Sequence, residues 1–132
     1  MKAPILLALA ALSIAQAAEP ATLTLACQGT VTIKTSSESE YDPDPISIGF
    51  IVNFANRTVK GTGRWGPFLF DDEIPITDSN EDTVVFRGFS KFLGMTISGS
   101  MDRVTGDVRM TATEKKGAFD YVLKCKPTQR MF

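Results

Sequence analysis

The chain has 132 residues, 43% of them hydrophobic, 22% charged and 9% aromatic, a composition that allows one globular domain and excludes disorder, collagen and coiled coil. Its formal net charge is −1, from 14 basic and 15 acidic residues, which leaves no overall basic footprint for nucleic acid or an anionic membrane. The chain has no histidine, no metal-ligand spacing and no phosphate-cradling glycine loop, so the sequence assigns no catalytic residue, no metal and no cofactor.

The first element in chain order is an export signal. Lys2 precedes an apolar run from Ile5 to Ile14, and Ala15-Gln16-Ala17 then offers the small residues that signal peptidase accepts. Residues 1–17 therefore read as a cleaved signal helix and residues 18–132 as a single β-barrel domain, periplasmic or extracellular. Glu19-Pro20 ends the apolar run short of the roughly 20 residues that a membrane span requires, so no membrane insertion is expected after cleavage.

Strand patterns then follow one another without helical periodicity. Leu23, Leu25, Cys27, Gly29, Val31 and Ile33 alternate with threonine-rich neighbours, a period of two that puts one face in a core. Thr35 to Pro45, carrying Ser36-Ser37 and Asp42-Pro43-Asp44-Pro45, reads as a loop. Ile46, Ile48, Phe50, Val52 and Phe54 repeat the alternation, and Asn56-Arg57 turns the chain into a strand from Thr58 to Arg64, with asparagine suited to the positive φ of such a turn. Glu73 to Thr77 is a weak strand, because Pro75 cannot donate to a ladder and belongs at an edge or a bulge. Thr83 to Phe89 is firmer. Gly94 to Met101 and Gly106 to Glu114 flank the hairpin connection Asp102-Arg103-Val104-Thr105, which closes on a glycine suited to positive φ. Lys115-Lys116-Gly117 then leads into Ala118 to Lys126.

Cys27 and Cys125 are the two cysteines of the chain. Both fall on inward faces, the first with Leu23, Leu25 and Val31 and the second with Phe119, Tyr121 and Leu123. An exported chain with two inward cysteines near its opposite ends predicts a Cys27–Cys125 disulfide. On the chain-entropy argument a loop of this size gains about 4 to 5 kcal/mol. Eight strands in an antiparallel meander bring the first and last together only if the sheet closes, so the expected fold is all-β, a small eight-stranded antiparallel meander barrel of lipocalin or avidin size closed by one disulfide. A two-sheet sandwich fits the same strand spacing.

Charge is uneven along the mature chain. Residues 18–86 hold 4 basic and 11 acidic side chains, and residues 87–132 hold 9 and 4. The acidic stretches Glu38 to Asp44 and Asp71 to Asp82 could share one rim of the barrel and steer a basic partner. Asp78, Asn80 and Asp82 copy the opening of a calcium loop, but Thr83 stands where its glycine belongs and Phe89 where its bidentate glutamate belongs, which excludes an EF-hand and leaves a polar turn. Asn56-Arg57-Thr58 matches a glycosylation sequon, relevant only in a host that glycosylates exported proteins.

Ser100 to Val108 and Tyr121 to Phe132, with the early Ala26-Cys27-Gln28-Gly29-Thr30-Val31, resemble small uncharacterised secreted proteins of α-proteobacteria. The resemblance implies a Gram-negative periplasm or exterior and supplies no activity and no site residue. In architecture alone, the expected barrel is similar to bacterial inhibitors of metalloproteases and lysozymes, which are small disulfide-linked barrels of eight strands.

Two functional classes remain. One is a monomeric, non-catalytic binding protein, an inhibitor of a secreted hydrolase for example, gripping a protein partner with the rim loops Gly63 to Phe70 and Asp102 to Gly106. Arg64, Trp65, Phe68 and Arg103 are its candidate contacts, of the types that dominate binding hot spots. The other is a carrier holding a small apolar ligand inside the barrel among Phe50, Phe54, Phe86 and Tyr121. A barrel of eight strands is only just wide enough for its own side chains, so the carrier requires a connected cavity of several hundred Å³.

Overall fold

The computed structural model describes residues 21–35, 42–62, 73–91 and 94–128. The expected signal segment, most of the Thr35 to Pro45 loop, Arg64, Trp65, Phe68, Asp71-Asp72 and the chain beyond Thr128 lie outside them. Eight strands are formed: β1 (Thr22–Thr35), β2 (Asp44–Asn53), β3 (Thr58–Thr62), β4 (Ile74–Ser79), β5 (Thr83–Ser90), β6 (Met95–Asp102), β7 (Asp107–Glu114) and β8 (Gly117–Pro127). They pair antiparallel in sequence order, and β8 pairs back onto β1, so the sheet is a closed barrel and not a sandwich.

β1 is the longest strand because it serves two partners at different heights. Its Thr22 to Val31 portion pairs with β2, and Leu25 to Thr35 pairs with β8. In the closing ladder Cys27 stands directly opposite Cys125, with Cα atoms 4.0 Å apart, and the two are joined by a disulfide. Two residues further along β1, Gly29 stands opposite Leu123, and a Cβ there would strike the Val122 carbonyl oxygen. The closure therefore has a backbone requirement as well as a covalent one.

The inward positions form one continuous core. Phe50, Val52, Val84, Phe86, Ile97, Val108 and Tyr121 are essentially inaccessible to solvent, and each large apolar side chain so buried contributes about 1.5 to 3 kcal/mol. The Phe50 and Phe86 rings meet in a tilted pair with centroids 6.3 Å apart, within the favourable range for aromatic packing. The small residue at Gly99, opposite Phe86 in the ladder, leaves room for the Phe86 ring. Burial pushes the pKa of the Tyr121 hydroxyl up.

Two local expectations need revision. The positive φ of the β2–β3 connection falls on Arg57 (58°) and not on Asn56, because the Asn53 carboxamide oxygen accepts the Asn56 N–H and moves the left-handed step to the last residue before β3. Phe54, expected on the strand, stands just past the end of β2, where its N–H donates to the Ala21 carbonyl. Pro75 lies on no edge, since the barrel is closed, but next to a bulge: the β4–β5 register shifts between Ile76 and Asp78, and among the described residues β3 and β4 pair through Thr58 with Pro75 and Val59 with Ile74.

Over their described parts the acidic stretches share a rim only in part: Glu73, on the β3–β4 connection, belongs to the same end of the meander as Asp42 and Asp44, whereas Asp82, on the β4–β5 connection, belongs to the other. Asp44 pairs with Val31, eight residues along β1 from Leu23, or roughly 26 Å of strand. Asp82 lies at the Leu23 end, beside the β6–β7 turn. The reason is the meander itself, in which successive connections alternate between the two ends of the sheet.

Candidate functional site

The barrel end that holds the start of β1 and the end of β8 is shaped by two turns. The first is the β6–β7 turn, Asp102 to Gly106. The Asp102 carboxylate oxygen Oδ1 accepts the N–H groups of Val104 (2.8 Å) and Thr105 (3.0 Å), and the Gly106 N–H donates to the Asp102 carbonyl at 2.9 Å. The Thr105 and Val104 N–H groups hold the Asp102 carboxyl below its ordinary pKa. Gly106 has φ of 83°, and its carbonyl accepts the Cys125 N–H at 2.8 Å, which pins the turn to β8. A Cβ at that position would strike the Cys125 carbonyl oxygen, so both conformation and proximity call for glycine here. Asp107, whose carboxyl accepts from the Thr105 hydroxyl (2.8 Å) and from Lys124 Nζ (3.2 Å), ends the turn. Those contacts, the threonine hydroxyl foremost, keep its pKa low.

The second is the β4–β5 turn. The Asn80 side-chain oxygen accepts the N–H groups of Asp82 (2.8 Å) and Thr83 (2.9 Å), so the residues that copy a calcium loop make an asparagine-capped turn. Among the described residues no three histidine, cysteine, aspartate or glutamate side chains gather as a metal site.

Arg103 joins the turns. Its backbone N–H donates to the Asp82 carbonyl at 2.7 Å, and its Nη1 donates to the Asn80 carbonyl at 2.8 Å. Its guanidinium carbon lies 5.0 Å from the centre of the Phe54 ring, a cation–π distance. One side chain thus bridges the β2–β3, β4–β5 and β6–β7 connections. Beside it, Val104 is 76% exposed at the tip of the braced turn.

Under Arg103 the described residues leave a space at the end of the barrel. A cavity of about 490 Å³ is walled by Leu23, Leu25, Phe54, Val84 and Met101 and reaches the Cys125 end of the disulfide, with Arg103 and Lys126 also lining it. Its size is that of a small-molecule site, and its walls are mostly apolar with few polar groups, as such sites usually are. The structure thus divides the residues named from sequence. Phe54 and Arg103 come together at this mouth, while Phe50, Phe86 and Tyr121 lie in the packed core and do not line the cavity. Arg64, Trp65 and Phe68 fall outside the described residues. The sequence pattern missed Leu23, Val84, Met101 and Lys126 as mouth residues, because alternation marks a side chain as inward without saying whether it lies at mid-barrel or at an end.

No protein-family model matches the chain, and no curated protein and no solved structure matches it either.

Proposed function

We propose that the protein is an exported, non-catalytic binding protein that holds a small, largely apolar molecule in the mouth of its barrel. The observation that carries this reading is the apolar cavity of about 490 Å³ between Leu23, Phe54, Val84 and Met101, capped by Arg103. The ligand position differs from the one expected from sequence. Mid-barrel is filled by Phe50, Phe86 and Tyr121, so the space for a guest lies above them. The turns that frame the space are braced before any ligand arrives, which lowers the ordering cost of binding. Export is supported by the Lys2-led apolar run and by the disulfide.

The test is a native mass spectrum of the protein from its own compartment, followed by titration of the purified protein with N-phenyl-1-naphthylamine, a neutral fluorescent probe of apolar cavities. A co-purifying small-molecule mass, or probe uptake that Leu23→Trp abolishes, is expected. An empty protein that takes up no probe, or uptake indifferent to Leu23→Trp, overturns the reading. A second reading, a protein partner held at the rim, rests on Val104, whose exposure at the tip of a rigid turn suits a contact surface. It predicts a partner whose binding Val104→Asp removes and Leu23→Trp, inside the mouth, leaves unchanged.

A further inference from the structure

Residues 87–132 hold 9 basic and 4 acidic side chains, and part of that excess comes to the surface on the outer wall of β5, β6 and β7. Outward side chains stand there in rows across the ladders, Ser100 beside Arg109, Ser98 beside Arg87, and Thr96 beside Phe89. The serines of β6 are short and the arginines on either side are long, so the wall is hollowed. Arg87, Ser98, Ser100, Arg109 and Thr111 line a depression of about 510 Å³. Arg87 and Arg109 occupy opposite corners of it, two strands and two residues apart, which sets their Cα atoms about 12 Å from each other. Both are exposed, and neither makes a hydrogen bond or an ion pair with a described residue. Phe89, on the same face of β5, leaves a large apolar ring 60% exposed.

The carboxylates around this wall are gathered at one end or already bound. Asp102 and Asp107 line the next hollow toward the β6–β7 turn, beside Arg109, and Asp78 stands opposite Val85 at that same end, as do Glu81 and Asp82 of the β4–β5 turn. Asp107 accepts from Thr105 and Lys124, and Asp120 of β8 accepts from Lys34 and the Thr111 hydroxyl. In the other direction the wall runs past Phe89 to the β5–β6 and β7–β8 connections, where Lys91, Lys115 and Lys116 are exposed against Glu114. The charges thus favour a linear anion lying from Arg109 past Arg87 toward these lysines. The groups along that line narrow its chemistry. Guanidinium forks pair with carboxylates, serine hydroxyls both donate and accept, and the Phe89 ring offers an apolar face. Sugar rings that carry carboxylates supply the complement of all three: charge, hydroxyls and a C–H face. A single-stranded nucleic acid fits less well, because its bases need successive aromatic platforms and Phe89 is the one aromatic outward side chain among the described residues of this wall. On grounds independent of the mouth, we propose that the outer wall of β5–β7 binds a linear uronate polysaccharide.

The test titrates the full mature chain with an oligogalacturonate, whose rings each carry a carboxylate, with its methyl ester, which lacks those charges, and with oligothymidylate. The oligogalacturonate is expected to bind about tenfold or more tightly than either, the least that one charge-assisted contact supplies. Arg87→Gln and Arg109→Gln should each weaken it about tenfold, with thermal melts like the parent's because both side chains are exposed. Ser98→Tyr fills the hollow without altering charge and should weaken it as much as either arginine variant does. Absence of oligogalacturonate binding, equal binding of the methyl ester, or affinity indifferent to any one of these three variants overturns the proposal. Oligothymidylate binding as tight as that of the oligogalacturonate would make the wall a nucleic-acid surface, and loss of the oligogalacturonate in Leu23→Trp would move it to the mouth; each of these also overturns the proposal. Uptake of N-phenyl-1-naphthylamine reports on the mouth separately, so failure at the wall and failure at the mouth are told apart.

Discussion

Arg57 and Asp102 show what single residues contribute to this barrel, one through backbone strain and the other through a carboxylate. Arg57 holds φ of 58° with a side chain that disfavours it, while its carbonyl accepts the Ile76 N–H at 2.8 Å and so anchors β4. Arg57→Gly should keep that hydrogen bond, relieve the strain and raise stability by about 0.5 to 1 kcal/mol, seen as a higher Tm in thermal melts. Gly106→Ala should do the opposite, since it adds strain at φ of 83° and sets a methyl group against the Cys125 carbonyl, at a cost of about 1 to 3 kcal/mol. Asp102 acts through pH. Its folded pKa lies below the ordinary value of 3.8, so its stabilisation is complete above that value and is lost as pH falls through the lower, folded one. Asp102→Asn keeps an oxygen for the Val104 and Thr105 N–H groups but no longer titrates. Tm of this variant should therefore fall less steeply than that of the parent below pH 3.8, Asp107 supplying part of the remaining slope.

Among the elements, ladder length is unequal around the barrel. β1 and β8 pair continuously from Leu25 with Pro127 to Thr35 with Gly117, whereas among the described residues β3 and β4 share the pairs at Thr58 and Val59. Ile76 donates to Arg57 on the β3 side, so the donorless nitrogen of Pro75 faces β5, and the shift between Ile76 and Asp78 interrupts that same β4–β5 ladder. Local opening should begin at this seam. Hydrogen exchange is expected to be faster at the amides of Val59 and Ile74 than at those of Gly29 and Leu123, and equal protection at both places would show that the barrel opens only as a whole. Strand existence was largely legible in the sequence, because threonine on the wet face and Leu, Ile, Val or Phe on the dry face give a period of two that survives in β1, β2, β5, β7 and β8. Closure was legible from the paired inward cysteines. The Arg57 step was not, since the Asn53 cap that causes it depends on where β2 stops. Nor was the mouth legible, since it is assembled from Leu23, Phe54, Val84, Met101 and Arg103, which lie on different strands and connections and meet only after closure.

At the scale of the whole molecule, the question is how much of the closure is carried by the disulfide and how much by the β1–β8 ladder. Cys27 and Cys125 are 98 residues apart in sequence, so their bond constrains nearly all of the described domain in the unfolded chain. On the entropic account its loss costs about 4 to 5 kcal/mol, a large part of the stability of a domain this size. The ladder, the Gly29 approach to Val122 and the buried faces of Leu25 and Leu123 remain when the sulfurs do not. The double variant Cys27→Ser with Cys125→Ser should therefore still fold to the same barrel but unfold at a much lower urea concentration. The double variant is the cleaner comparison, because Cys27→Ser alone leaves a reactive thiol at Cys125. The mouth adds a discriminating readout, since Cys125 lines its floor and Gly106 hangs from the Cys125 N–H. If the ladder alone sets the geometry of that end, the variant binds N-phenyl-1-naphthylamine as the parent does at low urea. If the bond holds the mouth in shape, probe affinity falls before the far-ultraviolet circular dichroism changes, and the site then depends on the same oxidation that stabilises the fold.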